Sequence, residues 1–237
     1  MTTSRHVPAV DRRSGRGRSP VPRAVLPVAL SAVLGLCAIA LLAWPAREGL
    51  FEAVAGGTAR SPVAGAAGLV ADKGLLALVA ITASLVVLAW FRDRPRFGLL
   101  TAAGAGTLAA YAASEVIKLV VTEERPCRVV DVATVLACPV PGDWSWPSNH
   151  STIAGALATA CLVAVPRLWP AVVPLALAVA GARVAAGVHY VHDVTSGLAL
   201  GVLITCVVGL AVHSGAQRVR RRSTARPSRV ARRTTGT

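Results

Sequence analysis

Residues 183–213 read RVAAGVHYVHDVTSGLALGVLITCVVGLAVH. Two kinds of chain meet inside this stretch. Residues 183–193 carry Arg183, His189, His192 and Asp193, whereas residues 194–212 hold no Asp, Glu, Lys or Arg. An uncharged apolar run of about 20 residues is long enough to cross a bilayer as a helix. Polar residues abutting such a run sit where the helix leaves the hydrocarbon. The stretch therefore predicts a spanning helix over Asp193–His213 with a polar site at its entrance.

The rest of the chain follows the same plan. Further apolar runs predict spans over Ala24–Trp44, Gly74–Phe91, Phe97–Val121, Ser148–Val165 and Leu168–Val188. The first follows Arg16, Arg18 and Arg23, as a secretory leader would, but it is longer than such a leader's apolar core and is read as a retained helix. Ala46–Lys73 reads as a linker bearing Gly, Ala, Pro and scattered charge. Pro95 marks a tight basic turn and Pro166-Arg167 a second one. Thr122–Pro147 reads as a polar loop, with Trp144 and Trp146 as interface anchors. No strand-like alternation and no long repeat is present. The fold class expected is all-α: a polytopic six-helix membrane bundle over 24–213, flanked by a disordered basic tail over 1–23 and a disordered Arg-rich tail over 214–237.

Composition agrees. The 237 residues are 54% hydrophobic and the mean hydropathy is +0.60, more apolar surface than a soluble domain requires. A net charge of +14 alone would suggest nucleic acid. The distribution excludes that partner, because Lys and Arg crowd the two termini and the short turns at Arg92, Arg94, Arg96 and Arg167. With six spans, these positions share one side. The other side holds only Arg47, Arg60, Lys73, Lys118, Arg125, Arg128 and Arg183. The bias puts both termini in the cytoplasm. It also fits contact of the tails with anionic membrane lipids. Cys37, Cys161 and Cys206 lie in apolar runs and read as small inert hydrophobes. Cys127 and Cys138 share the polar loop, and pairing between them depends on whether that loop faces an oxidising compartment.

Three polar elements break the charge bias, all at the side opposite the termini. Lys118-Leu-Val-Val-Thr-Glu-Glu-Arg125-Pro126 runs from the third span into the loop. Pro147-Ser148-Asn149-His150 opens the fourth span. Arg183-Val-Ala-Ala-Gly187-Val-His189-Tyr-Val-His192-Asp193 joins the fifth and sixth. In order and spacing these resemble the K-x6-RP, PSGH and SR-x5-H-x3-D pattern of the type 2 phosphatidic acid phosphatase (PAP2) superfamily. The resemblance implies a membrane bundle of the PAP2/haloperoxidase-like type. It also implies that Lys118, Arg125 and Arg183 bind a phosphoryl group, helped by Ser148 and the backbone N–H of Asn149. His150 would act as general acid and His189 as nucleophile, oriented by Asp193. Two positions depart from the pattern: Asn149 stands for Gly and Ala182 for Ser.

The residue types suit this chemistry in their own right. Phosphoryl transfer needs cations on the equatorial oxygens and an in-line nucleophile. Arg can engage two oxygens at once. Ser148 is a good helix N-cap, so N–H groups of the following turn can meet the phosphate. His189 and Asp193 lie one helical turn apart. No cluster of carboxylates or imidazoles suggests a metal cage, so a metal-free reaction without cofactor is expected.

Competing readings exist for each residue. Lys118, Arg125 and Arg183 can snorkel, or pair with Glu115, Glu123 and Glu124. His6 and His213 read as ordinary interfacial residues. His192 is adjacent to Asp193, a spacing that does not predict the support expected for His189. The expected function is hydrolysis of a lipid phosphomonoester or diphosphate, of the undecaprenyl diphosphate or phosphatidic acid type, through a phosphohistidine at the extracytoplasmic face of a bacterial inner membrane. The rivals are a lipid phosphotransferase built on the same residues, an impaired lipid-binding or transport protein, and a vanadium-dependent haloperoxidase, which would be soluble.

Overall fold

Small apolar residues make the helices, and proline, glycine and capping side chains decide where they stop. The structure, a computed structural model, describes residues 25–224; of residues 213, 216, 217 and 219–224 it describes the backbone alone. The expected N-terminal tail, His6 and the side chain of His213 lie outside the described residues. Helix α1 spans Val25–Ala43. An elbow follows, made of α2 (Arg47–Phe51), a π-helical turn over Glu52–Gly56 and α3 (Gly57–Ala59). Helix α4 covers Ala64–Arg92 and α5 covers Arg94–Val121. Asp93 separates them and caps α5, accepting from the Arg96 N–H at 3.1 Å. Pro95 sits in the first turn, where a missing N–H costs no helical bond. Helix α5 ends at Thr122 in the left-handed region (φ 44°), whose N–H returns to the Lys118 carbonyl at 3.1 Å.

One turn of helix, α6 (Pro126–Val129), opens the loop to residue 148. Cys127 and Cys138 form a disulfide within it, with Cα atoms 5.8 Å apart. Helix α7 (Asn149–Ala164) follows, then a 3₁₀ turn at Pro166–Leu168, α8 (Trp169–Ala185) and α9 (Val191–Thr224). Between α8 and α9, Gly187 takes φ +85°, where a Cβ would also collide with the Thr134 side chain.

Helix α7 is the centre of the bundle, packed against α9, α5, α8 and α4, while α1 lies along α9. Its buried face is made of Ser151, Thr152, Ala154, Gly155, Ala156, Ala158 and their neighbours. Small residues allow close approach, which is how helices gain packing energy where lipid is as apolar as a side chain. A Cβ on Gly155 would sit 2.6 Å from the Leu198 carbonyl, and one on Gly197 2.6 Å from the Ser148 carbonyl. Large apolar side chains point outward instead: Leu41, Leu42, Phe91, Leu119 and Val120 are all exposed. Helices α1, α4, α5, α8 and α9 are long and apolar enough to cross a membrane. The chain is an integral membrane protein.

Three expectations change. The Ala46–Lys73 linker is helical: α4 begins at Ala64, and the charges that suggested a linker, Asp72 and Lys73, pair at 3.0 Å on an exposed flank. The fourth expected span is α7, whose 16 residues reach only about 24 Å at 1.5 Å per residue. Protein surrounds it on most of its surface, and it is not among the five helices long and apolar enough to cross. Residues 214–224, expected to belong to the Arg-rich tail, continue helix α9, and the rest of that tail lies outside the described residues.

Candidate active site

The left-handed turn at Thr122 sends the chain back across the bundle end, and this carries Arg125 over the entrance of α9. Arg125 is buried, 3% exposed. Its Nη1 donates to the Val188 carbonyl at 2.9 Å and lies 3.1 Å from His189 Nε2. Its Nε and Nη2 donate to the Asp143 carbonyl and carboxylate at 2.8 and 2.9 Å. Lys118, in the last turn of α5, is also buried. Its Nζ stands 3.7 Å from the same Asp143 oxygen and 3.9 Å from Glu115.

His189 sits between α8 and α9, 1% exposed. Its Nδ1 faces Asp193 Oδ2 at 3.2 Å and Ser145 Oγ at 3.3 Å. Asp193, fully buried in the first turn of α9, also accepts from the Ser145 hydroxyl at 2.5 Å and the Tyr190 N–H at 2.8 Å. With a proton on Nδ1 held by the carboxylate, Nε2 keeps its lone pair and faces the Arg125 guanidinium. Burial pushes the His189 imidazolium down to about 3, over the opposing pull of the Asp193 hydrogen bond and charge. The ring is therefore neutral at physiological pH, the form that can attack phosphorus.

Ser148 takes the N-cap position of α7 with φ −71° and ψ 118°, but its hydroxyl does not cap the helix. It accepts from Ser151 Oγ at 3.3 Å, and its N–H donates to the Asp193 carbonyl at 3.1 Å. The first-turn N–H groups of α7 thus receive no capping oxygen from Ser148, the condition for an anion to meet them. Asn149 turns aside: its Oδ1 accepts from Ser114 at 2.6 Å and its Nδ2 donates to Glu115 at 2.5 Å. Among the described residues Thr122 alone, glycine apart, has positive φ, so position 149 needs no glycine freedom here. The departure at Ala182 places a methyl in an apolar contact with Ala71 and Ala186.

His150 and Arg183 line the other side. Arg183, 8% exposed, makes one hydrogen bond, from Nη1 to the Ala71 carbonyl at 3.3 Å, and its Nε has no partner. The charges of Arg183, Arg125, Asp72 and Lys118 all act on His150, which is half-buried. All eight residues singled out from the sequence therefore gather at one end of the bundle.

Three others join them. Ser145 and Asp143 come from the irregular loop, where no period marks a residue as inward-facing. His192 is 1% exposed, stacks on Tyr190 and meets the edge of Trp44. Its Nε2 lies 3.1 Å from Glu123 Oε1 and 3.0 Å from Asp193 Oδ1, the latter an ion-pair contact without hydrogen-bond alignment. Adjacent spacing thus does bring His192 to Asp193, through the second carboxylate oxygen. Glu123, His192 and Asp193 also place three ligand-type atoms within 4.8 Å of one another, a grouping the sequence did not suggest.

Residues 99–215, which hold all three motif elements, match the model of the PAP2 superfamily, and the chain belongs to that superfamily. It is similar to the decaprenylphosphoryl-5-phosphoribose phosphatase of Mycobacterium tuberculosis, with 37% identity over 122 residues. That alignment covers 51% of this chain and 64% of the relative, so it spans under two thirds of that protein's length. The lipid A 1-phosphatase of Rhizobium johnstonii is 29% identical over 221 residues, covering 83% of this chain and 85% of that one. A crystal structure of a transmembrane PAP2-type phosphatidylglycerolphosphate phosphatase from Bacillus subtilis shares the fold. Its TM-score is 0.52 at 21% identity, over 81% of this chain and 98% of that one.

Proposed function

We propose that the chain is a membrane-embedded lipid phosphatase working through a phosphohistidine. One observation carries the reading: the hydrogen-bonded pair of His189 and Asp193 leaves Nε2 free of the carboxylate and directed at a buried cation. In the first step Nε2 attacks phosphorus, the ester bond breaks, and His150 gives its proton to the departing oxygen. Lys118, Arg125 and Arg183 carry the charge that builds on the equatorial oxygens, with the first-turn N–H groups of α7 beside them. Arg125 turns its Nη1 from His189 to the phosphate as substrate arrives. In the second step His150 takes a proton from water, the oxygen attacks phosphorus, the bond from phosphorus to His189 Nε2 breaks, and inorganic phosphate leaves.

The site lies at helix ends, where a headgroup sits while its tail stays among the exposed apolar side chains. The names of the relatives support a phosphate carried on a large lipid. The positive-inside bias and a disulfide in the adjacent loop support a face outside the cytoplasm. The test is phosphate release by purified protein from phosphatidic acid, undecaprenyl diphosphate and a polyprenyl-linked sugar phosphate, with EDTA present. Release from at least one lipid, lost in His189→Ala, is expected. No release from any lipid contradicts the phosphatase reading, and loss in EDTA alone contradicts a metal-free site.

A further inference from the structure

The phosphate clamp already holds an anion of its own. Arg125 has five N–H donors. Two go to Asp143, one to the Val188 carbonyl and one toward His189 Nε2, which leaves a single N–H. The carboxylate oxygen that accepts from Arg125 at 2.9 Å also lies 3.7 Å from Lys118. One oxygen therefore stands between two of the three clamp cations, as a phosphoryl oxygen would. Burial opposes the charge on Asp143, but the Arg125 hydrogen bond and the charges of Arg125 and Lys118 outweigh it and hold the carboxyl below its usual range. Asp143 is thus ionised at neutral pH. Its side chain is 43% exposed on a loop, so it can swing aside when a phosphate enters, yet it stays close by. Glu115 adds a second carboxylate, 3.9 Å from Lys118 and held there by Asn149.

We propose that Asp143 sets the charge of the substrate this site accepts, favouring a lipid phosphomonoester over the corresponding lipid diphosphate. The inference rests on the phosphatase reading and narrows its substrate class. The three cations of the clamp are partly neutralised before substrate arrives. The remaining positive charge suits a dianion, and each further negative charge on the ligand meets the Asp143 carboxylate at short range. One unit charge at such a distance, in a partly exposed setting, changes an equilibrium about tenfold.

The experiment compares a prenyl monophosphate with the prenyl diphosphate of the same chain, at constant ionic strength, for the wild type, Asp143→Asn and Asp143→Glu. The wild type is expected to show the higher kcat/KM on the monophosphate. Asp143→Asn keeps an oxygen for Arg125 and is expected to shift the ratio about tenfold toward the diphosphate, whereas Asp143→Glu keeps the wild-type preference. An unchanged ratio in Asp143→Asn, an equal shift in Asp143→Glu, or a wild-type preference for the diphosphate overturns the proposal. Calorimetry with inorganic phosphate and pyrophosphate reads the same charge preference without turnover. Asp143→Asn should gain more affinity for pyrophosphate than for phosphate, and equal gains would sink the idea even in protein that hydrolyses neither lipid. Absence of turnover on both lipids with the calorimetric preference intact would instead count against the phosphatase reading alone.

Discussion

The two walls of the site are built differently. On one, His189, Asp193, Ser145, Arg125 and Asp143 form a continuous chain of hydrogen bonds, and Asp193 Oδ1, which accepts none, stands 3.0 Å from His192 Nε2. On the other, Arg183 has one long bond and an unpartnered buried Nε. No hydrogen bond from the His150 side chain occurs among the described residues. A buried polar group without a partner costs free energy, so it marks a place where something else completes the structure. In the proposed mechanism the tied wall holds the nucleophile in a fixed direction before substrate arrives. The loose wall, which faces the leaving group in the proposed mechanism, is completed by the substrate.

If this contrast is right, damage to the tied wall acts on kcat whatever the leaving group. The largest effect is expected for Asp193→Asn, which still fills the space but no longer holds the proton on His189 Nδ1. A loss of about a thousandfold to ten-thousandfold in kcat is the scale for such a change. A loss under tenfold, measured by steady-state phosphate release, would mean that His189 does not need its carboxylate. His150→Ala comes next and separates the walls most cleanly. A general acid contributes about a hundredfold or more when the leaving oxygen is basic. The variant should be impaired on an alkyl lipid phosphate and far less so on a nitrophenyl ester. Equal impairment on both would place His150 outside the protonation step. Ser145→Ala should lower kcat about tenfold with KM little changed, because Asp193 loses one of its donors and His189 a neighbour. A change confined to KM would move Ser145 to substrate binding.

How much of this contrast was legible beforehand depended on where each residue sits. Helices announce themselves by apolar runs, and residues at helix ends inherit their place from them. Lys118, Arg125, Ser148, His150, Arg183, His189 and Asp193, picked out by the resemblance, are therefore placed at one end of a bundle by the order of the apolar runs. Ser145 and Asp143 could not, since the path of residues 130–148 is set by the disulfide, by Ser145 N–H bonding the Glu123 carbonyl at 2.8 Å, and by Ser148 N–H bonding the Asp193 carbonyl. Those are long-range bonds with no local signature. The elbow before α4 was misread for a similar reason, because Gly, Ala and Pro mark a linker in water but pack as helix in a membrane bundle. The adjacent spacing of His192 and Asp193 does not announce their contact, which is made through Oδ1, the carboxylate oxygen that His189 does not use.

Stability is expected to respond as well. His189 is held neutral by burial, with its folded value about 3 against an ordinary histidine near 6.5. The unfolded chain binds the proton first as pH falls, so this contribution to stability is present above about pH 6.5 and is lost progressively toward pH 3. In detergent, the thermal midpoint should drop over that window, and His189→Gln should flatten part of the slope. An identical slope in the variant would show that His189 does not titrate as its burial requires.

The central claim is that His189 Nε2 makes a bond to phosphorus. It is tested most directly by rapid acid-free quenching of the protein with a radiolabelled lipid phosphate, followed by peptide mapping. Acid-labile label on the peptide containing His189, formed faster than phosphate is released and absent in His189→Ala, is the predicted result. Full turnover with no protein-bound label at any time, or label on the peptide containing His150 instead, would contradict it.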